Sequence, residues 1–136
     1  MFIDASAIVA ILTSEPQAGA LIAALDLGET RITSALAVFE AVTALSRKLD
    51  QDVATSERQV QRFLDLSGIQ VVPITEAVGA DALAAHARYG KGRGHPAKLN
   101  LGDCFAYACA RTHGVPLLFV GDDFARTDIE AARPTT

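Results

Sequence analysis

Five acidic residues in this chain, the last two adjacent, sit in apolar or strand-end surroundings where a carboxylate can meet a ligand rather than bulk water. Asp4 closes the opening run Met-Phe-Ile-Asp-Ala-Ser-Ala, and Glu40 lies inside the apolar stretch Ala35–Leu49. Asp103 lies within Asn100–His113, and Asp122 and Asp123 directly follow Leu117–Val120. Carboxylates brought together without a cation repel one another and hold their protons too tightly. Magnesium or manganese would suit such a group, because hard divalent ions take oxygen ligands, keep several waters and bridge protein carboxylates to phosphate. Zinc does not suit it: His86, His95 and His113 show no paired ligand spacing, and there is no Cys/His cluster.

Structural duties compete for the same acids. Asp4 can cap a helix that begins near Ser6, and Asp103, three residues after Asn100, fits the inner acid of a capping box. Asp122 and Asp123 suit a turn. Glu40 has no such alternative. It is surrounded by Leu36, Ala37, Val38, Phe39, Ala41, Val42, Ala44 and Leu45, where an unpaired carboxylate is costly to bury. A metal or a basic side chain has to compensate it.

Other chemistries find no footing. The chain has no Gly-x-x-x-x-Gly-Lys-Ser/Thr, no Gly-x-Gly-x-x-Gly after a strand and no Gly-x-Ser-x-Gly elbow. The Gly-Lys-Gly-Arg-Gly run at Gly90–Gly94 resembles a nucleotide-binding turn only superficially, and His113, beside Gly114, suits a helix end favoured by the dipole.

The elements that must position these acids follow from alternation. Strands are expected at Met1–Asp4, Arg31–Thr33, Ile69–Ile74 and Leu117–Val120, with helical patterns between them, which indicates a parallel α/β sheet. In such a sheet ligands bind beyond the carboxyl ends of the strands, where Asp4 and the Asp122–Asp123 pair fall. Ser34 should start a helix over Ala35–Leu49, Thr55 or Ser56 one over Glu57–Leu66, and Thr75 one over Ala77–Tyr89. Pro16 should open a helix near Gln17–Leu25, and Gly114 should end the helix that carries Asp103. Gly90, Gly92, Gly94 and Pro96 make the segment between the last two helices a loop. Low complexity is confined to that loop and the Pro-Thr-Thr ending.

With 136 residues, half of them apolar, the chain has enough for one domain, over 1–136, and too little for two. No apolar run is long enough to cross a bilayer and no basic segment precedes an apolar one at the amino terminus, so a cytoplasmic protein is expected. Cys104 and Cys109 read as core thiols. The net charge of −4 argues against nonspecific coating of nucleic acid. Between Asp81 and Asp103, however, there is no acid, while Arg88, Lys91, Arg93 and Lys98 are present. Either a solvated loop or a grip on phosphate fits this stretch.

Four segments together resemble the PIN domain, and within it the VapC-type toxins of bacterial toxin–antitoxin pairs. They are Met-Phe-Ile-Asp-Ala-Ser-Ala at Met1–Ala7, Val-Phe-Glu-Ala at Val38–Ala41, Leu-Asn-Leu-Gly-Asp-Cys-Phe-Ala-Tyr-Ala at Leu99–Ala108, and Leu-Leu-Phe-Val-Gly-Asp-Asp-Phe at Leu117–Phe124. Their order and spacing make the likeness specific over nearly the whole chain. It implies a single PIN-like α/β domain, with a central parallel sheet of four or five strands flanked by helices. The activity it implies is that of a magnesium-dependent ribonuclease, with manganese as an alternative ion, made with a cognate antitoxin. Carried over, Asp4 and Asp103 are the metal-binding aspartates, Glu40 is the third catalytic acid and Asp122 the fourth, with Asp123 as its alternative. Arg88, Lys91, Arg93 and Lys98 would then grip the RNA backbone, with Tyr89 or His95 stacking on a base. Positive mean hydropathy in so small a domain adds an expectation of apolar surface for a homodimer and a partner.

Two other functions compete. A non-cleaving RNA- or protein-binding module of the same fold would gain nothing from acids beside phosphate. A phosphatase using Asp4 as nucleophile would be expected to show a second Asp two residues on, where this chain has Ser6.

Overall fold

The computed structural model describes residues 1–28 and 30–132; the Pro-Thr-Thr ending at 134–136 lies outside them. Four short strands, β1 (Phe2–Ile3), β2 (Ile32–Ser34), β3 (Gln70–Val72) and β4 (Leu117–Leu118), form one parallel sheet in the order β3-β2-β1-β4. Helices α1 (Ala5–Leu12) and α2 (Ala18–Leu27) connect β1 to β2, α3 (Ala35–Leu49) and α4 (Val53–Ser67) connect β2 to β3, and α5 (Glu76–Tyr89) and α6 (Leu101–His113) connect β3 to β4. Phe2 registers with Ile32 on one side and Leu117 on the other, and Ile3 with Leu118.

Alternation across the pleat divides the core. Phe2, Ile32 and Leu117 join the side chains of α5 and α6 on one face, whereas Ile3 and Leu118 join those of α1 to α4 on the other. The chain steps outward from β1 to β3 and then returns to lay β4 on the far side of β1. That reversal opens a crevice beyond the carboxyl ends of β1 and β4.

Caps explain most helix boundaries. Ser34 Oγ accepts the Ala37 N–H at 3.1 Å, Thr75 Oγ1 accepts that of Val78 at 3.2 Å, and Gly114 ends α6 at a φ of 63°. Helix α4 differs from expectation. It begins at Val53 because Asp52 accepts the Thr55 N–H at 2.7 Å and so caps the helix one turn earlier. Ser56, expected as a possible cap, is instead fully buried, and its hydroxyl ties α4 to Ser46 of α3 at 2.9 Å. Cys104 and Cys109 are buried free thiols.

Candidate active site

Asp4 follows β1 and caps α1, and its side chain is 5% exposed. The Ser6 hydroxyl donates to its Oδ2 at 2.6 Å and the Ser6 N–H to the same oxygen at 3.1 Å, which leaves Oδ1 for another ligand. Ser6 Oγ also accepts the Val120 N–H at 3.0 Å. One hydroxyl thus joins the Asp4 carboxylate to the chain just before Gly121-Asp122-Asp123. Asp103 completes the expected capping box with Asn100, accepting the Asn100 N–H on Oδ2 at 3.1 Å. The structural duty and the site position are therefore held together by the same two aspartates.

Glu40 reaches the site from the middle of α3, and the neighbouring helix makes room for it. A Cβ built on Gly102 would fall 2.1 Å from Glu40 Oε2, so the glycine before Asp103 lets this carboxylate lie against the first turn of α6. Asp4, Glu40 and Asp103 line one open cavity of about 500 Å³.

Their charges resist being together. Burial, then the neighbouring Asp4 and Asp103, pushes Glu40 up to about 7. Burial pushes Asp103 up to about 6, with the charges of Asp4 and Asp123 adding to it against the Asn100 hydrogen bond. Burial raises Asp4 as well, in spite of the bonds from Ser6. An all-oxygen donor set fits a hard divalent cation. Among the described residues no three His, Cys, Asp or Glu side chains stand close enough together to hold a metal ion as they are placed.

The two aspartates after β4 are both exposed. The charge of Asp123 contributes to raising Asp103, and that of Asp122 is not among its causes. The basic stretch forms a loop pinned at its base, Lys91 N–H donating to Leu99 O and Leu99 N–H to Tyr89 O, each at 2.9 Å. Lys91, Arg93 and Lys98 are exposed on it. Arg88 lies apart, over the Tyr89 ring and 3.5 Å from Asp128, which Arg111 also approaches at 3.2 Å. Tyr89 cannot stack on a base as expected. It is 3% exposed, packed edge-on against His95 and Tyr107.

Sequence reasoning missed four contributors. Ser6 and Gly102 carry no chemistry of their own, and only the fold shows what they touch. It also missed basic side chains beside the acids: Arg47 and Lys48, from the last turn of α3, line the same cavity. A signal for Arg47 existed, since seven residues after Glu40 is the same helical face two turns on.

A sequence model of the PIN domain matches residues 1–130. The chain is 45% identical over 136 residues to the ribonuclease VapC42 of Mycobacterium tuberculosis, spanning 97% of this chain and 98% of that one. It is 42% identical over 139 residues to a VapC ribonuclease of Rhizobium meliloti, spanning 94% and 98%. The crystal structure of Mycobacterium tuberculosis VapC20, a sarcin–ricin loop cleaving toxin, superimposes with a TM-score of 0.76 over 98% of both chains at 16% identity, which supports the fold.

Proposed function

The chain belongs to the PIN-domain family, among the VapC ribonucleases, and from that premise we propose that it is a magnesium-dependent endoribonuclease acting in the cytoplasm as the toxin of a toxin–antitoxin pair. One observation carries the reading. Three carboxylates from three separate elements face one cavity, where burial raises all three and neighbouring acids raise Glu40 and Asp103 further.

In this reading Asp4 and Asp103 hold the metal through the oxygens their caps leave free, and Glu40 completes the acidic set. Bound there, magnesium would acidify a water and neutralise charge gathering on the leaving oxygen. The protein's part is preorganisation. Ser6 orients Asp4 and Gly102 admits Glu40, so the carboxylates need no rearrangement when RNA arrives. We assign the fourth acidic role to Asp123 in preference to Asp122, because its charge is felt at Asp103. Lys91, Arg93 and Lys98 remain candidates for contact with the RNA backbone.

Apolar surface supports the partners. Ile22, Leu49 and Leu66, 45%, 45% and 76% exposed, border a groove floored by Ile11, Leu12 and Phe63 that would take a segment of the antitoxin. Leu83 and Leu101, 71% and 68% exposed, flank a second hollow suited to a homodimer. Among the described residues no helix is long and apolar enough to cross a membrane.

Expression of the wild-type chain should arrest growth, and sequencing of RNA ends should reveal new termini that require magnesium in the purified reaction. Asp4→Asn and Asp103→Asn should abolish both effects. Either variant keeps an oxygen for its cap, so loss of folding does not explain the loss of cleavage. Full cleavage by both would refute the site.

A further inference from the structure

Helix α3 carries more than Glu40 along the wall of the acidic cavity. Thr43 and Arg47 follow on the same side, and the two turns from Glu40 to Arg47 span about 10 Å of helix axis. The neighbouring Lys48 is committed, its Nζ paired with Glu15. Arg47 is exposed and forms no ion pair or side-chain hydrogen bond with any described residue. The cavity therefore has three carboxylates at one end, a neutralised Lys48–Glu15 pair, and a guanidinium uncommitted among the described residues.

We propose that Arg47 binds a backbone phosphate of the RNA, flanking the one held at the carboxylates, and so sets the direction in which the strand leaves the site. The proposal rests on the ribonuclease reading. Cations held by Asp4, Glu40 and Asp103 offset the scissile phosphate locally, but the phosphates beside it still run along an acidic wall. A guanidinium is suited to a phosphate because its fork of N–H donors matches two oxygens at once. It is mounted on the same helix as Glu40, about 10 Å further along the axis, a displacement that favours a neighbouring phosphate over the one at the carboxylates. An acidic peptide is the other anion Arg47 could take. The cavity disfavours it, since three carboxylates repel a peptide that brings no cation, whereas RNA arrives where magnesium is bound.

The test is binding of a fluorescein-labelled single-stranded RNA to the full chain over a potassium chloride series, with calcium in place of magnesium to suppress cleavage. Arg47→Ala should bind roughly tenfold more weakly, and the slope of log affinity against log salt should fall in magnitude by about 0.7, the loss of one phosphate contact. Arg47→Lys should keep the slope. Manganese affinity, followed by electron paramagnetic resonance, should match wild type, which separates phosphate binding from a disturbed carboxylate site. An unchanged slope in Arg47→Ala overturns the proposal while leaving the ribonuclease reading in place. An unchanged slope together with lost co-purification of the antitoxin would assign Arg47 to the protein partner instead, and overturns it too. If wild type itself shows no salt-dependent RNA binding, the ribonuclease reading fails and this proposal with it.

Discussion

Replacing Glu40 by Gln measures the cost of burying its charge beside two other carboxylates, because the amide keeps the shape that fits against Gly102 and removes only the charge. In the folded protein Glu40 is raised from an ordinary 4.5 to about 7. A raised acid binds its proton more tightly folded than unfolded. Its contribution to stability is therefore complete below about pH 4.5 and lost as pH rises through about 7. At 1.36 kcal/mol for each pH unit of that interval, the full loss is about 3 kcal/mol. Solvent screening at this half-buried group reduces it to about 1–2 kcal/mol. In EDTA at pH 8, Glu40→Gln should thus melt about 5 °C above wild type in a chain of this size. At pH 4.5 the two should melt together, and the titrating groups outside the carboxylate cluster cancel in the comparison because both proteins share them. Magnesium should then reverse the order at pH 8, since it stabilises the fuller carboxylate set more. Differential scanning calorimetry at both pH values, with and without magnesium, reads all four states. Equal melting temperatures in EDTA at pH 8 would refute the reasoning, for they would mean that the Glu40 charge is neither buried at a cost nor held beside Asp4 and Asp103 against their repulsion.

Gly102→Ala should displace Glu40, cost about 1–3 kcal/mol of stability and lower cleavage sharply, whereas Gly19→Ala, with nothing within 4 Å of its added Cβ, should stabilise α2 by about 1 kcal/mol and leave cleavage intact; thermal melts and cleavage rates check the pair. Magnesium should bind more weakly at pH 5.5 than at pH 8, because the ion must displace protons from Glu40 and Asp103, raised to about 7 and about 6; titration calorimetry in two buffers should also show proton release, which falls away at pH 8. Changing Lys91, Arg93 and Lys98 together to Ala should flatten the salt dependence of RNA binding without altering metal affinity, and an unchanged slope would leave that loop as solvated surface. If a basic residue of the antitoxin pairs with the carboxylates, inhibition should weaken across a rising magnesium series, because ion and side chain compete for the same oxygens.

What the chain determined on its own was whatever depends on neighbours in sequence. Alternating strands and helices specified a parallel sheet, local chemistry placed the Ser34, Thr75 and Asn100 caps, and the end of β1 put Asp4 at a ligand-binding edge. Glu40 stood out because a charge in an apolar helix is costly, a fact that needs no coordinates. At the start of α4 the sequence reading offered Thr55 or Ser56 as the cap and missed Asp52, which takes that place. Ser56 is unavailable as a cap because the packing of α3 on α4 buries its hydroxyl against Ser46. Tertiary structure alone decided the pairings between distant residues: the Ser6 hydroxyl with the Val120 N–H, the bare Cα of Gly102 against the Glu40 carboxylate, and the last turn of α3 beside the acids. The same holds for the two basic groups that sequence could only count. Arg88 turns away to Asp128 and Arg47 faces the cavity, because the helix that bears each side chain settles its direction only once that helix has packed.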